Sequence, residues 1–362
     1  MILHIASPEF PMADDMKPND SPAKKIMGWV GTTSALIGLS ASILGGVRWF
    51  ENRHAQQAEL AAKMAVAQKQ ASVGDYLASV RSYDAILTDH PLNPSALQQQ
   101  LSVTMTWVEN FEVTGADNQS IDATAAAELD QIFQILDAGL SRTKGVEAAD
   151  VQAHLGWAHW LNQHIAEREF GHVAEQNLRA ALQVDPTNVY ANAMLGNWML
   201  QNGGDRTEAV NHFRTAVATG KVRPFVRRFE IGGLSHDEGP LLPELFRTAN
   251  EMRKDGEPLD DLSRSRVLYY CLNPPFTEEE TLSAVLTSVA EDDAWKTYQW
   301  LVAGLEPKRP QTTSDYIHAT LLRVSGHKSE ALAVYRTLLH NDNSYGRIAE
   351  LAGKQIADLT KN

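Results

Sequence analysis

The chain has 362 residues, is 43% hydrophobic and 7% aromatic, and carries a formal net charge of -13. That length holds two ordinary domains or one long repeat array. The acidic balance excludes a nucleic-acid binder, because neutralising phosphates needs a surplus of Lys and Arg. The single cysteine, Cys271, lies in the apolar run "VLYYCLN". It can form no internal disulfide, and with no His or basic residue beside it in sequence it reads as a buried, inert thiol.

In chain order, residues 1–25 form a disordered, acidic leader (Glu9, Asp14, Asp15, Asp20), with Met12 as an alternative start. Ile26 to Val47 then runs without a charge. At about 1.5 Å per residue it is long enough for a hydrocarbon core of about 30 Å. Lys24 and Lys25 close it on one side, Arg48 and Arg53 on the other, and Trp29 and Trp49 fall near the interfaces. The reading is an uncleaved signal anchor over 26–47. Its rival is a cleaved signal peptide, with "SAS" at 40–42 as the cleavage-like patch. Lys17, Lys24 and Lys25 balance Arg48, Arg53 and Lys63, so orientation rests on the charge pair directly ahead of the span. That pair places the N-terminus inside and the C-terminal body outside the cytoplasm, periplasmic for a bacterial inner membrane. Ser34, Gly38, Ser42 and Gly46 recur every four residues, a small-residue face on which two copies would pack as a homodimer.

Beyond the span the pattern is helical, with no sustained alternation for strands. In "SVGDYLASVRSYDAILTDHPLNP", Gly74-Asp75-Tyr76 makes a turn, Ser79, Tyr83 and Ile86 form a stripe, and Pro91 closes the unit. Leu155-Gly156 is followed by Ala174, Leu178 and Ala181, with Pro186 ending that unit; Leu195-Gly196 is followed by Ala209, Phe213 and Ala216. The Gly203-Gly204 pair turns the chain in the latter unit, and Gly196 is small because the second helix crosses close to it. Near the C-terminus Gly326 turns the chain and Ala331, Tyr335 and Leu338 repeat the stripe. Steps of four and then three mark one face of an amphipathic helix.

These units resemble the tetratricopeptide repeat, a helix-turn-helix of about 34 residues with small residues where paired helices cross. The resemblance covers about 60–93, 149–187, 189–220 and 312–341, with extra residues inside the second unit and a poorer unit at 95–141. Between 222 and 311, "GPLLPELFRTANEM", "LDDLSRSRVLYYCL", "TEEETLSAVLTSVAED" and "DAWKTYQWLVAGL" read as helices of degenerate pairs, and "YGRIAELAGKQIADL" as a capping helix. The resemblance implies a groove lined by the first helix of each unit, binding a protein or peptide. Its groove-facing places fall on Trp157, Trp160 and Leu161, then on Tyr190, Asn197 and Gln201, with Val103 and Trp107 from the looser unit. The competing reading is that the Trp residues only pack between units. Asn197 has no Lys in its helix, which disfavours the family's clamp for a terminal carboxylate.

Catalytic patterns are weak. His154, His159 and His164 step by five, which turns each about 140° from the last on a helix, and His172 follows at a distance. Three such residues cannot face one ion, and His164 with Glu167 makes only two ligands. Ser235, His236 and Asp237 are adjacent in "IGGLSHDEGP" and read as a loop, since triad members converge from separate segments. The acids at 260–261 and 291–293 read as helix starts, and the basic cluster "KVRPFVRR" (Lys221, Arg223, Arg227, Arg228) as a solvated helix end. No phosphate loop, metal site or cofactor site emerges.

The sequence therefore predicts an all-α protein with a single N-terminal transmembrane helix and a tetratricopeptide-like α-solenoid. Its parts are repeats over 48–220, degenerate repeats over 221–311 and a C-terminal unit with its cap over 312–362. The expected function is a membrane-anchored, non-enzymatic scaffold that docks a partner in envelope assembly, secretion or complex biogenesis. The alternatives are a self-associating structural oligomer and a metal-dependent enzyme built on the histidine-rich stretch. Deleting residues 24–50 should move the protein from the membrane to the soluble fraction on fractionation; sedimentation with membranes in high salt after the deletion contradicts the anchor.

Overall fold

The computed structural model describes residues 53–111, 118–164, 172–220, 223–236, 239–303, 309–340 and 346–361. The leader, the span over 26–47 and its small residues Ser34, Gly38, Ser42 and Gly46 lie outside the described residues. Among the described residues every regular element is a helix, and none is long and apolar enough to cross a membrane. In order they are α1 (53–72), α2 (Tyr76–Asp89), α3 (Pro94–Glu109), α4 (Asn118–Leu140), α5 (Val146–His164), α6 (Val173–Val184), α7 (Val189–Gln201) and α8 (Arg206–Ala218). There follow α9 (Arg223–His236), α10 (Leu242–Asp255), α11 (Asp261–Cys271), α12 (Glu279–Leu286), α13 (Glu291–Val302), α14 (Gln311–Val324), α15 (Lys328–Leu339) and α16 (Gly346–Thr360).

Helices pair with their chain neighbours, as in α3–α4, α5–α6, α7–α8 and α14–α15. The leading helices also stack on one another, α3 on α5, α5 on α7, α7 on α9 and α9 on α11. This is the arrangement of an α-solenoid. Its boundaries follow from capping chemistry. The side chains of Asp75, Asn93, Asn188, Asp205 and Asp260 each accept a backbone N–H in the first turn of α2, α3, α7, α8 and α11. Pro94 adds a preset φ at the start of α3. Gly203 takes φ 72° in the turn between α7 and α8, a value that only a residue without Cβ adopts freely.

Small residues mark the crossings. A Cβ on Gly196 would meet the Ala209 carbonyl oxygen at 2.9 Å and the Phe213 ring at 3.1 Å. A Cβ on Gly156 would meet Leu178 at 2.8 Å and the Ala174 carbonyl oxygen at 3.0 Å. The same contact thus recurs in two successive units, as the shared Leu-Gly pairs predict. Tyr83, Phe213 and Tyr335 are all fully buried in their stripes.

Helix α9 departs from the sequence reading at both ends. "KVRPFVRR" is not solvated throughout: Lys221 lies outside the described residues and Arg228 is exposed, but Arg227 is only 2% exposed. Its guanidinium donates to Glu230 at 2.7 Å, to Glu257 at 3.3 Å and to Glu251 at 3.5 Å, and Thr248 of α10 donates to the other Glu230 oxygen at 3.0 Å. This buried network ties α9 to α10. At the other end, Ile231 to His236 is helical rather than a loop. The glycine pair there is an approach surface, not a turn. A Cβ on Gly233 would come within 3.3 Å of Asn197, Leu200 and Phe213, and one on Gly232 within 3.2 Å of the Arg266 guanidinium.

Burial is the largest influence on the Glu230 carboxyl and pushes it above the ordinary carboxylate range, with Arg227 pulling the other way. Without Arg227 the upward push stands nearly alone. A carboxyl raised on folding binds more protons folded than unfolded, so its contribution to stability falls as pH climbs from its unfolded to its folded value. Arg227→Met should therefore cost about 3–5 kcal/mol at neutral pH. The deficit should shrink as pH falls toward the free Glu value near about 4.3. Thermal melts across pH check this, and a Tm deficit that does not change with pH refutes it.

Candidate functional site

The leading helices α5, α7, α9 and α11 enclose a cleft of about 410 Å³. Its walls include Trp160 from α5, Asn197 and Gln201 from α7, Arg228, Phe229 and His236 from α9, and Arg266 and Tyr270 from α11. Trp160 Nε1 donates to Gln201 Oε1 at 2.9 Å, and Gln201 Nε2 reaches Asn197 Oδ1 at a long 3.4 Å. Three residues named from the sequence, Trp160, Asn197 and Gln201, are thus brought together on one wall.

The others are not. Trp157 is buried under α9, with the Phe225 ring 4.8 Å away, centroid to centroid, and the Phe229 ring edge-on at 5.1 Å. Phe225 and Phe229 are themselves 4.8 Å apart, and each aromatic pair adds about 0.5–1.5 kcal/mol beyond the area it buries. Leu161 is buried in the same core. Trp107 is buried beside Phe111 at the end of α3, and Val103 packs against that core half-buried. For Trp107, Trp157 and Leu161 the groove assignment is corrected: all three are buried between helices, Trp157 because the Phe225 and Phe229 rings of α9 cover it. Arg228 shows how far α9 reaches back, donating to the Glu109 carbonyl at the end of α3 at 3.0 Å.

Tyr190 faces a different cleft, of about 560 Å³, with Asp150, Asp185, Thr187 and Asn188. Burial first, then the Glu109 and Asp150 carboxylates, raise its phenol well above the ordinary range. The polar groups of that larger cleft satisfy one another. Asn188 donates to Asp150 at 2.6 Å, and Asp185 accepts from both the backbone and the hydroxyl of Thr187. Nothing there is left wanting a partner.

The cleft at Asn197 differs on this point. Asn197 is 3% exposed, and among the described residues its Nδ2 has no hydrogen-bond partner. An amide donor buried without a partner costs about 1–3 kcal/mol. Among the described residues neither Arg228 nor Arg266 has a carboxylate partner: Arg228 is spent on the Glu109 carbonyl and lies 5.7 Å over the Phe229 ring, and Asp237 and Glu238, which follow His236, lie outside the described residues. Sequence reasoning noted Arg228 as part of a basic cluster and missed Arg266 and Tyr270, which lie where no repeat signature is visible.

Other expectations resolve locally. His154 is held by the Asp150 carbonyl at 2.7 Å and the Glu109 carboxylate at 3.2 Å. The His159 ring packs on Phe133 at 4.6 Å, and burial lowers its pKa. His172 lies 3.2 Å from Glu175. Among the described residues no three His, Cys, Asp or Glu side chains converge on a metal position; Glu167 and Asp237 lie outside them. Ser235 donates to its own helix at Gly232 rather than to His236. Cys271 is fully buried, which pushes its thiol far up. Asp260 caps α11, and Asp293 in the first turn of α13 binds Arg253 and Lys254 at 2.9 and 2.6 Å.

No family model matches the chain, and no curated protein matches it. Among solved structures it is similar to a tetratricopeptide repeat protein from Parabacteroides merdae, at 12% identity and a TM-score of 0.37, over 84% of this chain and 99% of that one. The assignment of tetratricopeptide-like repeats rests on the helix pairing and glycine crossings described above.

The unpartnered amide makes a stability prediction. Asn197→Leu keeps the shape and removes the orphan donor, so the melting temperature should stay level or rise, by the equivalent of about 1 kcal/mol. A marked fall in Tm shows instead that Asn197 is a structural bond-former.

Proposed function

We propose that this chain is a membrane-anchored scaffold that docks a partner protein in the cleft between α5, α7, α9 and α11. The observation that carries the reading is Asn197, a buried amide with a free donor in the wall of a solvent-reached cleft. A partner backbone carbonyl or carboxylate would supply the missing acceptor. Trp160 adds a large, half-buried ring held in place by Gln201, the kind of group that anchors interfaces at low entropy cost. The charge-free run from Ile26 to Val47 supports the anchor, and its flanking lysines support a body outside the cytoplasm, in the periplasm of a bacterial cell. Partners in that setting belong to envelope assembly, secretion or complex biogenesis.

The test is affinity capture with the tagged full chain from detergent-solubilised membranes. Wild type should retain a defined partner that Trp160→Ala and Asn197→Leu each lose, while Trp157→Phe, in the packed core, keeps it. Equal capture by all four proteins removes the cleft from the function.

A further inference from the structure

Tyr270 lines the cleft and also a second hollow beside it, of about 440 Å³. Buried Leu242 lines that hollow together with the Tyr269 and Phe276 rings and the side chain of Glu278. Tyr269 is 54% exposed and Phe276 74%, and their rings stack at 6.2 Å, 26° from parallel. Tyr269 meets Tyr270 edge-on at 5.1 Å. Large apolar groups left in water side by side mark an interaction surface, whereas scattered ones do not. The turn that displays Phe276 is tied at several points. The Asn273 carbonyl accepts from the N–H groups of Phe276 and Thr277 at 2.8 and 2.7 Å. The Thr277 hydroxyl donates to the Tyr270 carbonyl at 3.1 Å and accepts from the Asn273 N–H at 3.3 Å. Pro274 and Pro275 preset two of its φ angles. Such a turn holds its ring in place before a ligand arrives, which lowers the entropy cost of binding there.

Charge decides what these rings receive. Among the described residues no Lys or Arg lines the hollow, and Arg266 lines the cleft alone. Glu278 does line the hollow, and it starts α12 without a side-chain cap bond. Asp237 and Glu238, which precede the lining Gly239, lie outside the described residues; as carboxylates they leave the sign of the charge unchanged. Aromatic faces carry the negative part of the ring quadrupole and attract a cation within about 6 Å of their centroids. A carboxylate at the edge of such rings adds a counter-charge, and a chain of net charge -13 draws cations toward it. Guanidinium suits this pairing better than ammonium. It is planar, stacks flat on aromatic faces and still offers N–H edges to a carboxylate.

Resting on the docking role proposed above, we infer that the partner presents an arginine to this hollow. Its guanidinium lies on the Tyr269 and Phe276 rings and donates to Glu278, while the rest of the partner segment occupies the cleft. The shared Tyr270 makes cleft and hollow neighbours, so one short segment reaches both.

The experiment selects a displayed library of random peptides on the detergent-solubilised full chain, then measures resynthesised peptides by fluorescence anisotropy. Enriched peptides should carry an arginine at a fixed position. Replacing it by citrulline, which keeps the shape and removes the charge, should weaken binding by about tenfold, and lysine should restore only part of the loss. Glu278→Gln and Phe276→Ala should each weaken the arginine peptide by a similar factor and leave the citrulline peptide nearly unchanged. Circular dichroism confirms that these two surface variants fold. Enriched peptides without arginine that still lose affinity with Trp160→Ala overturn the arginine and leave the docking role standing. Arginine peptides bound equally by wild type, Glu278→Gln and Phe276→Ala are held by the acidic chain at large, which overturns the hollow as their site. Phosphocholine competing better than an arginine amide assigns the rings to a lipid headgroup and likewise overturns the arginine. No enrichment, or affinity indifferent to every variant of cleft and hollow, overturns both readings.

Discussion

The close seating of α9 against α7 sets the rest of the structure. It is possible because Gly232 and Gly233 present bare backbone, so that the next atoms beyond Gly233 are Asn197, Leu200 and Phe213 of the neighbouring unit. A helix interior tolerates two glycines only at a cost of about 1 kcal/mol each relative to alanine, so their presence needs a packing reason. Once α9 is that close, Phe225 and Phe229 reach Trp157, Arg228 reaches the end of α3, and Arg227 is carried inward. Arg227 can be buried there only because Glu230, Glu251 and Glu257 surround it. The cleft is what remains of the groove beyond the point where α9 fills it.

Much of the scaffold was legible in the sequence because its signals are local. The Leu-Gly pairs, the small-aromatic-small stripes and the prolines after each unit all report on one helix pair, and the structure places Gly196 and Gly156 at crossings as those patterns require. The stretch from 223 to 303 was legible as helices but not as packing. There a glycine pair carried two meanings, turn or close approach, and only the neighbour's position separates them. The same holds for Arg227 in "KVRPFVRR", which looks solvated until the glutamates of α10 and its following turn are in place. Burial of a charge depends on partners that lie about 20 to 30 residues away in sequence, beyond any local pattern.

The site was legible by half for a related reason. Groove-facing positions carried over from the repeat family assume that every leading helix borders open space. That assumption holds for Trp160 and Gln201 near the ends of α5 and α7, and fails at Leu161, which is buried, and at Trp157, where the rings of α9 lie across the face. The cationic side chains that complete the cleft come from α9 and α11 rather than from the helix that carries Asn197. The sequence of that helix alone does not report the charge around Asn197, because stacked helices bring charged side chains from the next unit and the one after.

Two asparagines of α7 separate structural from functional burial. Asn192 and Asn197 are five residues apart on one helix and both are buried. Asn192 uses its whole amide: Nδ2 donates to the Pro186 and Asn188 carbonyls at 3.0 and 2.9 Å, and Oδ1 pairs with His212 at 2.8 Å. It fastens the turn before α7 to α8, with both donors and its oxygen engaged. Among the described residues Asn197 has only the long contact from Gln201 on its oxygen and nothing on its nitrogen. A chain selecting for stability alone would place an apolar residue there, since the position is otherwise enclosed by Leu200, Phe213 and the bare backbone of Gly233. Burial of an amide without an acceptor among the described residues is what separates Asn197 from Asn192 and makes it the residue on which the proposed docking role turns.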